Sequence, residues 1–160
     1  MLQRDYFLRI IQEFMAALAK FLEKKEAEEQ RDNDLRELYR QYVGTYDLRN
    51  LSLDELLDYA HNEWNDDERM QRLEMVAELL YAEGSYKQAP LRQLLLDRAY
   101  QVFDYVDVNG NLFSITRRQK MTAIRKELRA ENRELRVGNA RCNMPLVMGN
   151  RTPVTGMADE

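Results

Sequence analysis

Over its first 133 residues the chain contains three glycines, Gly44, Gly84 and Gly110, and one proline, Pro90. Glycine and proline are the residues that most readily end a helix or turn a chain. Between them runs charged, leucine- and tyrosine-rich sequence with helical spacing. Breakers are few, so the helices must be long. The expected class is all-α, with about six helices in antiparallel pairs. They would form one domain over residues 1–133, followed by an irregular or disordered tail over 134–160, where the remaining three glycines and two prolines lie.

A length of 160 residues suits one domain with a true hydrophobic core. The one cysteine, Cys142, precludes an internal disulfide framework and is compatible with a reducing compartment. The opening Met1-Leu2-Gln3-Arg4-Asp5-Tyr6 has no basic leader, and Arg9, Gln12 and Glu13 interrupt the apolar stretch that follows. No window approaches the apolar length of a membrane span. These features predict a cytoplasmic protein without membrane attachment.

Residues 3–30 read as the first helix. Between Tyr6 and Leu22 only Arg9, Gln12, Glu13 and Lys20 are polar, and at 100° per residue they share one narrow face. The apolar remainder exceeds the stripe that one packing face needs. Such a helix is either central to the domain or shared with a second chain, most simply in a homodimer. A short second helix, capped at Asp32, Asn33 or Asp34, stops at Gly44. Ser52 and Glu55 form a capping box that starts a third helix at Leu53. Asn65 and Glu68 open a fourth over 66–83, with the turn at Gly84. Pro90 suits the first turn of a fifth helix, which ends at Asn109-Gly110. Ser114 caps a sixth over 115–133.

Leu73, Val76, Ala77, Leu80, Gly84, Tyr86 and Ala89 follow the spacing of a first helix and turn in the tetratricopeptide repeat, which this segment resembles. Pro90 and Gln93 depart from that pattern, and a shift of ten residues recovers Ala99, Phe103 and Val106 at second-helix spacing. The resemblance implies a right-handed stack of antiparallel helix pairs. Gln3-Arg4-Asp5-Tyr6 and Glu78-Leu79-Leu80-Tyr81, with this helix layout, are also similar to a family of short bacterial all-helical proteins. That likeness implies no activity.

Catalytic, cofactor and metal motifs are missing from the sequence. Asp107-Val108-Asn109-Gly110-Asn111 looks like part of a calcium loop, but the frame set by Gly110 puts Tyr105 and Thr116 at ligand positions. A helix-ending turn explains it better. His61 is the one histidine and lacks the Cys or His companions of a zinc site. Were there an active site, His61, Glu63, Asp66 and Asp67 would be its candidates.

Charge is segregated along the chain. Residues 1–116 carry 14 basic and 23 acidic groups, and residues 117–141 carry nine and three. Arg118, Arg125, Arg129, Arg133 and Arg136 share one face of the sixth helix, where like charges four apart repel. Something negative should lie nearby, with Asp97, Asp104 and Asp107 as internal candidates. Overall acidity and the lack of interleaved aromatic residues argue against nucleic acid. The expected function is non-catalytic protein–protein interaction, through a helical groove, the first helix, or both. Phe7, Ile11, Phe14, Leu18 and Phe21 are its candidate contacts. The alternative is an anionic partner or nucleic acid on Arg118, Arg125, Arg129 and Arg133.

Overall fold

A computed structural model describes residues 2–143, with side chains over 5–133. The described residues are helical, with no strand among them. The elements are α1 (Leu2–Glu23), α2 (Glu28–Tyr42), a 3-10 turn (Tyr46–Asn50), α3 (Leu53–Glu63), α4 (Arg69–Tyr86), α5 (Leu91–Asn109) and α6 (Ile115–Asn143). The chain divides after Ile124 into two units. The first holds α1 to α5 and the opening turns of α6. The second begins within α6 at Arg125.

The enclosed helix of the first unit is α4. Leu73, Met75, Val76, Ala77, Leu79, Leu80 and Ala82 bury positions all round it, as a helix packed on several sides requires. Its principal neighbour is α5, which contributes Leu95, Leu96, Ala99, Val102, Phe103 and Val106 to the same core. In contrast, α1 lies on the outside of α2 and α4 and buries one face, Phe14, Leu18 and Phe21. Edge-to-face contacts of Phe14 with Tyr42, at 5.2 Å between ring centroids, and of Phe21 with Tyr86, at 6.0 Å, fix that face.

The first helix was expected to run to about residue 30, but it ends at Glu23, and α2 begins at Glu28. No glycine or proline marks this corner. Folding α2 back onto α1 buries Leu35, Leu38, Tyr39 and Tyr42, which a continuous helix would leave in water. Arg31 Nη2 donates to the Lys24 carbonyl at 3.0 Å and holds the corner. At the far end of α2 the Gly44 amide donates back to the Tyr39 carbonyl at 2.9 Å, and Gly44 takes φ +108°, a left-handed conformation that glycine adopts without strain.

The capping box at Ser52 is formed as expected. The Glu55 amide donates to Ser52 Oγ at 3.2 Å, and the Ser52 amide donates to Glu55 Oε1 at 3.0 Å. Arg69 closes the other end of α3 by donating to the carbonyls of Ala60 at 3.1 Å and Trp64 at 2.9 Å, a cation satisfying the free acceptors of a helix C-terminus.

The turn expected at Gly84 is not there. α4 passes through Gly84 to Tyr86, and the chain turns over Lys87–Pro90 instead. A Cβ at Gly84 would stand 2.8 Å from Leu96 Cδ2, so the glycine lets α5 approach α4 closely. The intrinsic helix cost of glycine, about 1 kcal/mol, is outweighed by that packing. The expected break at Asn109-Gly110 is present, and Ser114 Oγ accepts from the Arg117 amide at 3.1 Å at the start of α6. The sixth helix continues past the expected end at 133 to Asn143, so no irregular segment begins at 134. The rest of the expected tail, 144–160, and the side chain of Cys142 lie outside the described residues.

Candidate functional site

Three surfaces of the first unit present unusual chemistry. The outer flank of α1 is the most regular. Leu8, Met15 and Leu22 are 50%, 47% and 52% exposed and recur every seven residues, so they line one side of the helix. Ala16 and Ala19 are exposed near them. Of the residues singled out from sequence, Phe14, Leu18 and Phe21 fill the chain's own core, while Phe7 and Ile11 are half-buried at its edge. The excess apolar circumference of α1 is real, but other side chains carry it outward. A seven-residue recurrence was readable in the sequence. Which of two adjacent apolar faces would be covered was not, because that depends on where α2 folds back.

The second surface is the corner between α5 and α6. Val108, Leu112, Phe113 and Ile115 are all largely exposed within eight residues. Beside them opens a cleft of about 260 Å³ lined by Asp66, Asp67, Met70, Gln71, Glu74, Val106, Gly110, Asn111, Leu112 and Arg117. Of the four candidates for an active site, Asp66 and Asp67 reach this cleft, while His61 and Glu63 are exposed and do not line it. Arg117, one of the lining residues, is 3% exposed. Nε donates to Asp107 Oδ1 at 3.1 Å, Nη1 to Glu74 Oε2 at 3.1 Å, and Nη2 to the Leu112 carbonyl at 2.7 Å. All three guanidinium nitrogens are thus committed to tying α4, α5 and their connection to α6. Burial pushes the Asp107 carboxyl up, but hydrogen bonds from Arg118 and Arg117, with their charges, hold it below the usual aspartate value. Asp107 therefore ends α5 as an arginine acceptor. Among the described residues no group of three or more His, Cys, Asp or Glu is placed to hold a metal ion.

The third surface is polar and lies where α2, the 3-10 turn and the end of α4 meet. Glu83, fully buried, takes two hydrogen bonds from Arg49, at 3.0 and 2.5 Å. Lys87 Nζ bridges Glu28 at 2.8 Å and Asp32 at 2.9 Å, and the Tyr86 hydroxyl donates to Asp32 at 2.5 Å. Burial raises the Tyr86 phenol, and the Asp32 carboxylate raises it further. Arg36 and Arg49 both lie over the Tyr46 ring, at 5.0 and 4.7 Å. Glycine and leucine spacing gives no sign of this network, because it joins residues as much as 59 positions apart.

The arginine face of α6 divides. Arg118 pairs with Asp107 at 3.2 Å and lies over the Phe113 ring at 4.7 Å. Asp97 instead accepts from Gln101, and Asp104 is exposed without an ion pair among the described residues. Lys120, not one of the expected arginines, takes Glu78, with Nζ to Oε1 at 2.5 Å. Arg125, Arg129 and Arg133 are exposed in the second unit. Arg129 and Arg133 form no ion pair among the described residues.

Among the described residues no helix is long and apolar enough to cross a membrane. No family model matches the chain, and no curated protein and no solved structure matches it.

Proposed function

We propose that this chain is a non-catalytic protein–protein interaction module whose docking face is the outer flank of α1. The observation that carries this reading is the exposure of Leu8, Met15 and Leu22 at seven-residue intervals on a helix whose other face is anchored in the core. Fully burying one such side chain stabilises by roughly 1.5–3 kcal/mol, so three half-exposed ones leave on the order of 3 kcal/mol for a partner to gain. A stack of antiparallel helix pairs, as in the tetratricopeptide likeness, belongs to the same proposal and would present α1 as an open terminal helix. The α4–α5 pair is the element that best suits it.

Placing a photo-crosslinking amino acid at Met15, in the native cell, tests the reading. Covalent adducts are expected from position 15 and not from Asp104 on α5. Absence of adducts at Met15 would contradict it.

A second reading concerns α6. Arg129 and Arg133 stand exposed four residues apart with no ion pair among the described residues, which suits an anionic partner. With a net charge of −4 the chain is repelled more by the dense phosphates of nucleic acid than by a sparser acidic protein surface. Binding of an acidic peptide that weakens with salt and with Arg129→Ala/Arg133→Ala is the expected result. Tight oligonucleotide binding at physiological salt, lost in the same variant, would favour nucleic acid.

A further inference from the structure

The cleft at the α5–α6 corner joins two unlike surfaces. Met70, Val106 and Leu112 give it an apolar lining, and Asp66, Asp67 and Glu74 an acidic one. Its lining cation, Arg117, has an acceptor for every N–H. Nε donates to Asp107, Nη1 to both oxygens of Glu74, and Nη2 to the Leu112 carbonyl and Asp107. No cationic donor is left in the lining for an anion. Two further guanidiniums reach these carboxylates, Arg69 at Asp66 and Arg118 at Asp107. Asp67 is the carboxylate left over. It is exposed, it forms neither a hydrogen bond nor an ion pair among the described residues, and α4 starts beside it without a side-chain cap.

We propose that this corner binds a segment of a partner protein in which a lysine or arginine stands next to large apolar residues. At about 260 Å³ the cleft is smaller than the roughly 300–1,000 Å³ of small-molecule and cofactor pockets, and one long side chain suits it better. Lysine and arginine carry a cation on an apolar stem, which matches a lining of carboxylates with methionine, valine and leucine. The charged head meets Asp67, and the stem lies against Met70, Val106 and Leu112. From Leu112 the apolar surface continues out of the cleft to Val108, Phe113 and Ile115, all largely exposed, and the apolar neighbours of the basic residue cover it. A free polyamine would satisfy Asp67 but leave that corner in water. An acidic segment would meet Asp67 as a like charge and find Arg117 committed. Arg118, which lies over the Phe113 ring, is already paired with Asp107. This surface shares no residue with the outer flank of α1 and does not depend on that flank's role.

Panning a random peptide display library against the full chain, then titrating the recovered peptides as synthetic probes, tests this. Recovered peptides should carry lysine or arginine beside leucine, isoleucine or phenylalanine, and their binding should weaken as salt is raised. Asp67→Lys and Phe113→Ser should each weaken binding roughly tenfold, while both variants keep the helical content and cooperative melt of the wild type. Met15→Asp, on α1, should leave the affinity unchanged. Recovery of no peptide, or of peptides without a basic residue, overturns the proposal. So does binding indifferent to Asp67→Lys. Binding that Met15→Asp abolishes and Asp67→Lys does not would overturn it while supporting the outer flank of α1 as the docking face.

Discussion

Gly84 and Leu96 occupy one space between α4 and α5. A Cβ on Gly84 would stand 2.8 Å from Leu96 Cδ2 and 3.1 Å from its Cγ, and Leu96 is itself buried. Two effects oppose each other in Gly84→Ala. Alanine favours the helix by about 1 kcal/mol, whereas overpacking a filled core costs about 1–3 kcal/mol. The clash should win, lowering stability by about 1 kcal/mol in chemical denaturation. Gly84→Ala combined with Leu96→Ala should be less destabilising than the sum of the two single changes, because the second removes the obstruction.

Arg117 should be the most sensitive polar position of the first unit. Replacing it with Met leaves Asp107 and Glu74 close together without their shared cation. Breaking a buried pair in this way costs about 3–5 kcal/mol. A loss under 1 kcal/mol in urea denaturation would show that the guanidinium is not the tie between α4, α5 and α6.

Asp107 and Glu78 should respond to pH with opposite sign. The lowered Asp107 pKa means its contribution is full above the unfolded aspartate value and lost as pH falls through the folded one. Burial raises Glu78 more than Lys120 lowers it, so its contribution is present in acid and lost as pH rises through its folded pKa. Between neutral pH and pH 3 the destabilisation by Asp107→Asn should shrink, whereas Glu78→Gln should become less favourable relative to wild type. Denaturation series across that range check both signs.

Ser52→Ala should cost about 1 kcal/mol, through loss of the hydroxyl that accepts the Glu55 amide. Thermal melts compared with Ser52→Thr, which keeps the acceptor, isolate the cap from any general effect of substitution.

Local signals were legible where the chain meets its own neighbours in sequence. The Ser52 box, the Ser114 cap, the stop at Gly44 and the break at Gly110 all depend on residues within five positions of one another. Gly84 misled because glycine serves two purposes, turning a chain and admitting a neighbouring helix, and only the position of Leu96 distinguishes them. The corner at residues 24–27 was hidden for a related reason: nothing local breaks the helix there, and packing of α2 on α1 decides it. Packing also decides that Phe14, Leu18 and Phe21 face the core while Leu8, Met15 and Leu22 face outward, a division that the apolar spacing of α1 does not carry. The apolar corner at Leu112, Phe113 and Ile115 was also missed, although three large apolar residues around a helix cap were a usable sign.

The docking role of α1 is tested most directly by oxidative footprinting of Met15 in intact cells against dilute purified protein. Met15 should label readily when purified and be protected in cells, while Leu94, 54% exposed on α5, labels equally in both. Equal labelling of Met15 in the two settings would mean that this face stays in water, and would contradict the proposed function.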